Sequence, residues 1–404
     1  MVVPGTNLEQ ARTWNRRVVL DAVRRHGRLS RAEIARLTGL SAQTVSNIAD
    51  ELRAAGLLRD EGRRRTGRGQ PPVDLALAPN GAFTVGLQLD HRALVGVLTN
   101  LAGDGIASVE EPVDAPRPEV AVPRMAAAVD RLVRRAGIDR DRLWGVGVVL
   151  PGPFGDIARD DPTRLPGWDG FPLSAALGER LGLPVMVEND ATAAAIGERL
   201  YGAARELSDF IYLWFGTGLG AGIFVGGQPY RGAAGNAGEV GHLPIEVDGI
   251  PCACGNRGCL ERYVSLHAAY AHLAAAGVEA ASPADLAGLL AARHPAVLDW
   301  IATAAPRLRR ALVILENLFD PDALVVGGLL PDPVLDALLA ATEPLLPAVG
   351  PAHARTVPRL IRGTAGSTSP ALGGAALPTF AGLVPSVALL HKDTARPAAP
   401  VLQP

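Results

Sequence analysis

The chain has 404 residues, with 39 basic and 41 acidic side chains and a formal net charge of −2. That length predicts more than one domain and ample core, and 48% hydrophobic with 20% charged residues excludes a disordered chain. No apolar run suits a membrane span, Met1–Gln10 has no apolar stretch of the kind expected of a secretory signal, and three Cys exclude a disulfide scaffold. The expectation is a soluble cytoplasmic protein without a membrane partner.

The charge is uneven. Residues 1–80 hold 14 Arg against 8 acidic residues, a net of +6, which leaves −8 on the remainder. A basic segment joined to an acidic body points to nucleic acid as the partner of the first. Charge alone is equally compatible with an ordinary solvated small domain.

In chain order, Leu8–Arg25 has helical spacing through Ala11, Trp14, Val18 and Ala22, and Gly27 ends it. Ser30 and Glu33 form a capping box for a short helix that closes at Thr38-Gly39. Ser41 caps a second helix, Ala42 to Ala55, with Val45, Ile48 and Leu52 facing inward. This is helix-turn-helix spacing, and the second helix suits the major groove. Ser41, Gln43, Thr44, Ser46 and Asn47 near its start are short polar side chains fit for phosphate and base-edge contacts. Leu57–Arg59 and Val73–Leu77 read as strands flanking a Gly- and Arg-rich loop with Arg63, Arg64, Arg65 and Arg68, as in a wing lying along phosphates. The alternative is a helical protein-interaction domain with a basic loop.

The remainder alternates. Strands are expected at Ala82–Leu89, Ala93–Thr99, Ile106–Glu110 and Leu143–Leu150, with a helix over Glu119–Ala136. A helix at Leu173–Leu181, a strand at Pro184–Val187 and a helix at Ala191–Gly202 follow. Strands at Asp209–Phe215 and Gly220–Val225 begin a second series, closed by helix Pro306–Leu318, strand Ala323–Val326, helix Pro333–Thr342 and strand Arg359–Arg362. Two β-rich starts followed by alternating helix and strand suggest two α/β lobes with a cleft between them. The domains expected are 1–80 for DNA, 81–385 for a two-lobed sensor, and 386–404 as a disordered tail.

All three Cys lie within eight residues, at Cys252, Cys254 and Cys259, with His242 ten residues upstream. Cys₃His is a closed structural zinc set, and Gly255, Asn256 and Gly258 allow the tight loop it needs. A chance cluster of buried thiols is the alternative.

The array Glu239-x-x-His242, Cys252-x-Cys254, Gly255-x-x-Gly258-Cys259-x-Glu261 resembles the signature of the ROK family of repressors, open reading frames and sugar kinases. Leu165–Trp168, Leu183–Val185, Glu188–Ala191, Gly216–Gly218 and Tyr230–Ala233 stand in that family's order. The N-terminal helix-turn-helix is similar to that of its repressor branch. The resemblance implies an actin-like, hexokinase-like (ribonuclease H-like) two-lobed α/β body behind the winged helix-turn-helix, with a structural zinc and a bound sugar. It implies Asp190 at the catalytic-base position, with Asn189, Glu239, His242 and Glu261 on sugar hydroxyls and Gly152 bringing backbone close. A helix cap is the alternative for Asp190. His242 would serve zinc and sugar through its two nitrogens.

The chain departs from the family's kinases at the first phosphate loop. Gln88 falls where their Mg²⁺-organising Asp stands, and Asp90-His91-Arg92 replaces Gly-Gly-Thr. Arg164 replaces a family Asn before Leu165. Gly216–Gly218 and Gly327-Gly328 remain, and tight strand turns are one reason to keep them. The expectation is therefore no ATP or Mg²⁺, no catalysis, and a sugar-responsive repressor of carbohydrate genes. It would bind double-stranded operator DNA as a homodimer or homotetramer. An ATP-dependent sugar kinase with a fused DNA-binding module is the alternative, and a sensor acting on another protein is the third reading.

Overall fold

The computed structural model describes residues 7–63, 73–152, 165–168, 170–350, 355–364 and 370–386. The chain divides into two compact units, one holding the described residues of 1–149, 172–188 and 371–404, the other those of 150–171 and 189–370.

The first unit opens with α1 (Leu8–His26), capped by Asn7 and Gln10 in a reciprocal box, followed by β1 (Arg28–Ser30). Helix α2 (Arg31–Thr38) starts on the expected Ser30–Glu33 box and ends on Gly39 at φ 71°. Helix α3 (Ala42–Ala54) starts on Ser41, whose hydroxyl accepts from the Thr44 N–H at 3.1 Å. Strands β2 (Leu58–Arg63) and β3 (Val73–Leu77) follow, and β3 pairs with both β1 and β2. Sequence spacing had not separated β1 from its neighbouring helices. It also misjudged the face of α1: Val19, Leu20 and Val23 are buried, Val18 and Ala22 only half-buried, and Leu8 is exposed. The C-terminal half of α1 packs on α2, α3 and the small sheet, so only that half has a core to face.

Strands β4 (Phe83–Leu89), β5 (Ala93–Asn100) and β6 (Gly105–Pro112) form an antiparallel run, and after α4 (Pro118–Ala136) β7 (Leu143–Leu150) pairs parallel with β4. Helix α5 (Leu173–Leu181) leads to β8 (Val185–Asn189), giving the order β6-β5-β4-β7-β8.

The second unit starts with α6 (Asp190–Tyr201), then β9 (Phe210–Phe215), β10 (Leu219–Val225) and the short β11 (Gln228–Pro229). Helices α7 (Leu266–Ala275), α8 (Pro283–Ala291) and α9 (Pro295–Phe319) precede β12 (Ala323–Gly328), α10 (Asp332–Ala341) and β13 (Leu360–Arg362). The sheet runs β11-β10-β9-β12-β13. Alternation along β9 gives it two apolar faces: Ile211, Leu213 and Phe215 join the core under α7, α9 and α10, while Tyr212 and Trp214 take the other. Helix α6 packs against β9 and β10; Gly222 allows it, since a Cβ there would lie 2.4 Å from the Ala195 Cβ.

Helix α11 (Pro370–Leu383) returns to the first unit. It lies backbone-to-backbone on the sheet: a Cβ at Gly86 would stand 1.7 Å from the Ala371 carbonyl oxygen, and one at Gly147 1.9 Å from that of Gly374. The Thr379 hydroxyl continues a chain through Thr84 and Thr99 at 3.2 and 3.1 Å. The last residue of α11, Leu383, is fully buried in the same apolar cluster as Val19, Ile34, Val45 and Leu52 of the helical module, joined there by Ala82 and Leu101. The tail expected to be disordered lies, from 387 onward, outside the described residues.

Candidate functional site

The polar edge of α3 comes first in the chain. Ser41, Gln43 and Asn47 are exposed and Thr44 and Ser46 half-buried, while Val45, Ile48 and Leu52 hold α3 to the module. Gln43 Nε2 donates to Asn47 Oδ1 at 2.9 Å, and the Ser41 and Thr44 hydroxyls lie 2.8 Å apart, so the polar edge is pre-ordered. Arg12 and Arg31 reach across to Glu51 and Asp50 of α3 at 2.6 and 2.5 Å, covering acidic groups of the module. Arg63 ends β2, and Arg64, Arg65 and Arg68 lie outside the described residues.

The turn between β4 and β5 is where the family resemblance puts the kinases' first phosphate loop. Asp90 Oδ1 instead accepts from the N–H groups of Arg92 and Ala93, both at 2.7 Å, and the Asp90 N–H donates to the Ala93 carbonyl. The carboxylate therefore already engages the N–H groups of this turn and adds a negative charge there.

Asn189 and Asp190 sit at the start of α6. Asn189 is the N-cap, its Oδ1 accepting the Thr192 N–H at 2.7 Å, so the capping alternative belongs to Asn189 and not to Asp190. Gly152 lies against it, with a Cβ placed at Gly152 falling 3.5 Å from the Asn189 Cβ. Asp190 is partly accessible yet deeply surrounded by protein. Burial raises its carboxyl above the usual range, opposed by the Ala191 N–H, which donates at 2.9 Å, and by the Trp214 indole.

The glycines of Gly216–Gly218 are explained by crowding rather than by turn conformation. Neither Gly216 nor Gly218 takes a positive φ. A Cβ at Gly216 would stand 2.8 Å from Trp214 Nε1, and one at Gly218 3.1 Å from Glu261 Oε2. Likewise a Cβ at Gly327 would meet the Tyr212 hydroxyl at 2.3 Å, and Gly328 passes close to Phe215 backbone. Helix α7 takes up the turn, its Leu266 and His267 N–H groups donating to the carbonyls of Gly216 and Thr217.

Glu239, His242 and Glu261 meet at two single-turn 3-10 segments, Val240–His242 and Leu260–Arg262. His242 Nε2 is 3.9 Å from Glu239 Oε2, and its Nδ1 is 3.5 Å from Glu261 Oε1. The same Nδ1 lies 3.6 Å from Cys252 Sγ, whose thiol donates to Glu261 Oε1 at 3.3 Å. Cys254 and Cys259 sulfurs are 3.6 Å apart, and ligand atoms of His242, Cys252, Cys254 and Cys259 all fall within 4.8 Å of one another. Tetrahedral zinc, with Zn–S about 2.3 Å and Zn–N about 2.0 Å, sets S···S near ~3.8 Å and S···N near ~3.5 Å. The donor set fits that ion.

The loop is built for this convergence. Cys252 and Asn256 close a turn, Gly258 N–H donates to the Ile250 carbonyl, and Tyr263 accepts the Ile250 N–H at 2.9 Å. Gly258 has φ 73° and passes so close to Glu246 that a Cβ would fall 1.8 Å from its carbonyl oxygen. Burial pushes the Cys252 thiol up and Cys259 to about 11, with Glu261 adding to both. At Cys254 the Asn256 N–H and the two neighbouring thiols outweigh burial and lower it. A bound cation would hold all three as thiolates.

The model of the ROK family matches residues 91–379, and that of the MarR family matches residues 13–69. A relative described as a putative xylose repressor from Caldicellulosiruptor sp. (strain Rt8B.4) is 30% identical, over 78% of this chain and 82% of its own. The crystal structure of a ROK family transcriptional regulator, a homolog of the Escherichia coli MLC protein, superposes with a TM-score of 0.76 at 25% identity, covering 93% of this chain and 98% of that one. A ROK family glucokinase from Streptomyces griseus, solved with glucose and AMPPNP, gives 0.58 at 28% identity over 73% of this chain and 99% of its own. The ROK model spans well over half of the sequence, and the chain belongs to the ROK family.

Proposed function

We propose that this chain is a sugar-responsive DNA-binding repressor of carbohydrate-metabolism genes, acting in the cytoplasm. The observation that carries it is the pairing, on one chain, of an exposed polar recognition helix with a β4–β5 turn whose donors Asp90 has taken. The putative xylose repressor and the MLC homolog support the same reading. In it, Ser41, Gln43, Thr44, Ser46 and Asn47 meet base edges and phosphates, and Arg63, Arg64, Arg65 and Arg68 follow the backbone. Gly152, Asn189, Asp190, Glu239, His242 and Glu261 form the sugar site. Zinc on His242, Cys252, Cys254 and Cys259 is structural: four protein ligands leave it no open position, and it fixes the loop that carries Glu261. Neither ATP nor Mg²⁺ has a role.

Two copies of the chain, as a homodimer or within a homotetramer, would place recognition helices on half-sites about 34 Å apart or a multiple of it. A sugar acts by binding one conformation better than another. The test is a gel-shift titration of the full chain on its own upstream DNA with a panel of sugars. One sugar changing the fraction bound is expected; no effect from any sugar rejects the reading.

A second reading is an ATP-dependent sugar kinase with a fused DNA module: Asp190, which the family resemblance puts at the base position, opens α6. It requires sugar-dependent ATP turnover that Asp190→Asn abolishes.

A further inference from the structure

The cysteine loop leans on helix α9 at one side chain. Arg307 lays its guanidinium over the Tyr263 ring, 4.3 Å from the centroid. Its Nε stands 3.3 Å from Glu246 Oε1, and its Nη1 donates to the Thr303 carbonyl at 2.6 Å. Arg310, a turn further along α9, meets the same Glu246 oxygen at 3.3 Å. The Arg307 side chain is 23% exposed and that of Arg310 56%, so Arg307 is the partner whose charge is shielded from water and counts for more.

The segments that supply the ligands all come back to this guanidinium. Glu246 follows His242 by four residues, Ile250 precedes Cys252 by two, and Tyr263 follows Cys259 by four. Arg307 touches Glu246 and Tyr263 directly, and the Tyr263 hydroxyl accepts the Ile250 N–H at 2.9 Å. The Tyr263 carbonyl accepts from Trp300 Nε1, also on α9, at 3.0 Å. Tyr263 is thus held at ring, hydroxyl and carbonyl. The segments themselves are weak holders: Val240–His242 and Leu260–Arg262 are single 3-10 turns, a form with poor hydrogen-bond geometry. Ligand atoms gathered within 4.8 Å need support from outside such turns.

We propose that Arg307 is a positioning residue of the metal centre. With Tyr263 and Glu246 it clasps the ligand-bearing segments to α9, so that His242, Cys252 and Cys259 keep the spacing zinc needs and Glu261 stays beside them. This rests on the reading of His242, Cys252, Cys254 and Cys259 as a zinc set. Arg307 acts through the loop and not on the ion, so its signature is the rate at which zinc leaves.

The experiment uses the full-length, zinc-loaded chain. Excess EDTA is added, and metal per chain is followed in time by mass spectrometry. Arg307→Met keeps an apolar stem and loses the cation; it is expected to release zinc about tenfold faster than the wild type. Arg307→Lys returns a cation to the Tyr263 face and is expected to recover part of that loss. Glu246→Gln, which leaves α9 intact, is expected to speed release as well, and adding Arg307→Met to it should do less than Arg307→Met does alone. Arg309→Met is the control. Arg309 donates to the carbonyls of Ala341, Thr342 and Glu343, so its loss should lower the melting temperature and leave zinc release unchanged. Circular dichroism establishes which variants are folded; if Arg307→Met is not, the Arg307→Lys and Glu246→Gln rates decide, and wild-type rates in both overturn the assignment. Wild-type release from folded Arg307→Met, or equal acceleration in Arg309→Met, likewise overturns it and leaves the zinc reading standing. A wild-type chain that takes up no zinc overturns both.

Discussion

Cys252 sits 3.6 Å from His242 and donates to Glu261, so metal loop and candidate sugar residues share atoms. Cys252→Ser is expected to lose bound zinc and the sugar response together, read as metal per chain by mass spectrometry beside the gel-shift titration. A metal-free chain that still answers to sugar would refute the coupling. This group was readable in the sequence because its constraint is local: four ligands within eighteen residues can hardly face apart. Arg307 was not readable, because its meeting with Glu246 and Tyr263 depends on how α9 lies against the cysteine loop and not on any spacing along the chain. The surviving glycines were visible but not their reasons: Gly216 and Gly327 stand against the Trp214 and Tyr212 side chains, Gly218 against Glu261, and Gly328, at φ 137°, against Phe215 backbone.

Among elements, those that alternate cleanly were found close to their bounds; β7 and α5 match their expected ranges to the residue. Helix α9 begins at Pro295, eleven residues before the expected start, because Pro306 imitates a first-turn proline while lying inside the helix. Helices α7, α8 and α11 are rich in Ala, and in α11 also in Gly and Pro, so they lack a strong apolar stripe to announce them. Helix α11 nevertheless closes the core of the helical module through Leu383. Leu383→Ala is expected to destabilise the first unit by about 2–5 kcal/mol and to weaken operator binding, measured by denaturant unfolding and gel shift. The segment between β2 and β3 carries the other element-scale expectation. Replacing Arg63, Arg64, Arg65 and Arg68 together with Ala should flatten the dependence of log affinity on log salt by roughly 3–4, at about 0.9 for each lost phosphate contact. An unchanged slope would remove the wing assignment.

On the scale of the whole molecule, the net charge of −2 is a sum of opposites: +6 on residues 1–80 and −8 beyond. The positive share is partly spent inside the module, on Glu51, Asp50 and Asp60, so the field offered to DNA depends on the arginines left outside those pairs. A chain ending before Pro370 would lack α11 and is expected to show no sequence-specific DNA binding, although residues 1–80 are intact. A truncated chain with full operator affinity would contradict this. The same feature sets an order in time. Ribosomes emit roughly 5–20 residues per second, and domains that are complete early fold early. Here the helical module shares its core with Leu383, so it is finished only after α11 has emerged. A nascent chain, or one that stops before α11, is therefore expected not to occupy an operator.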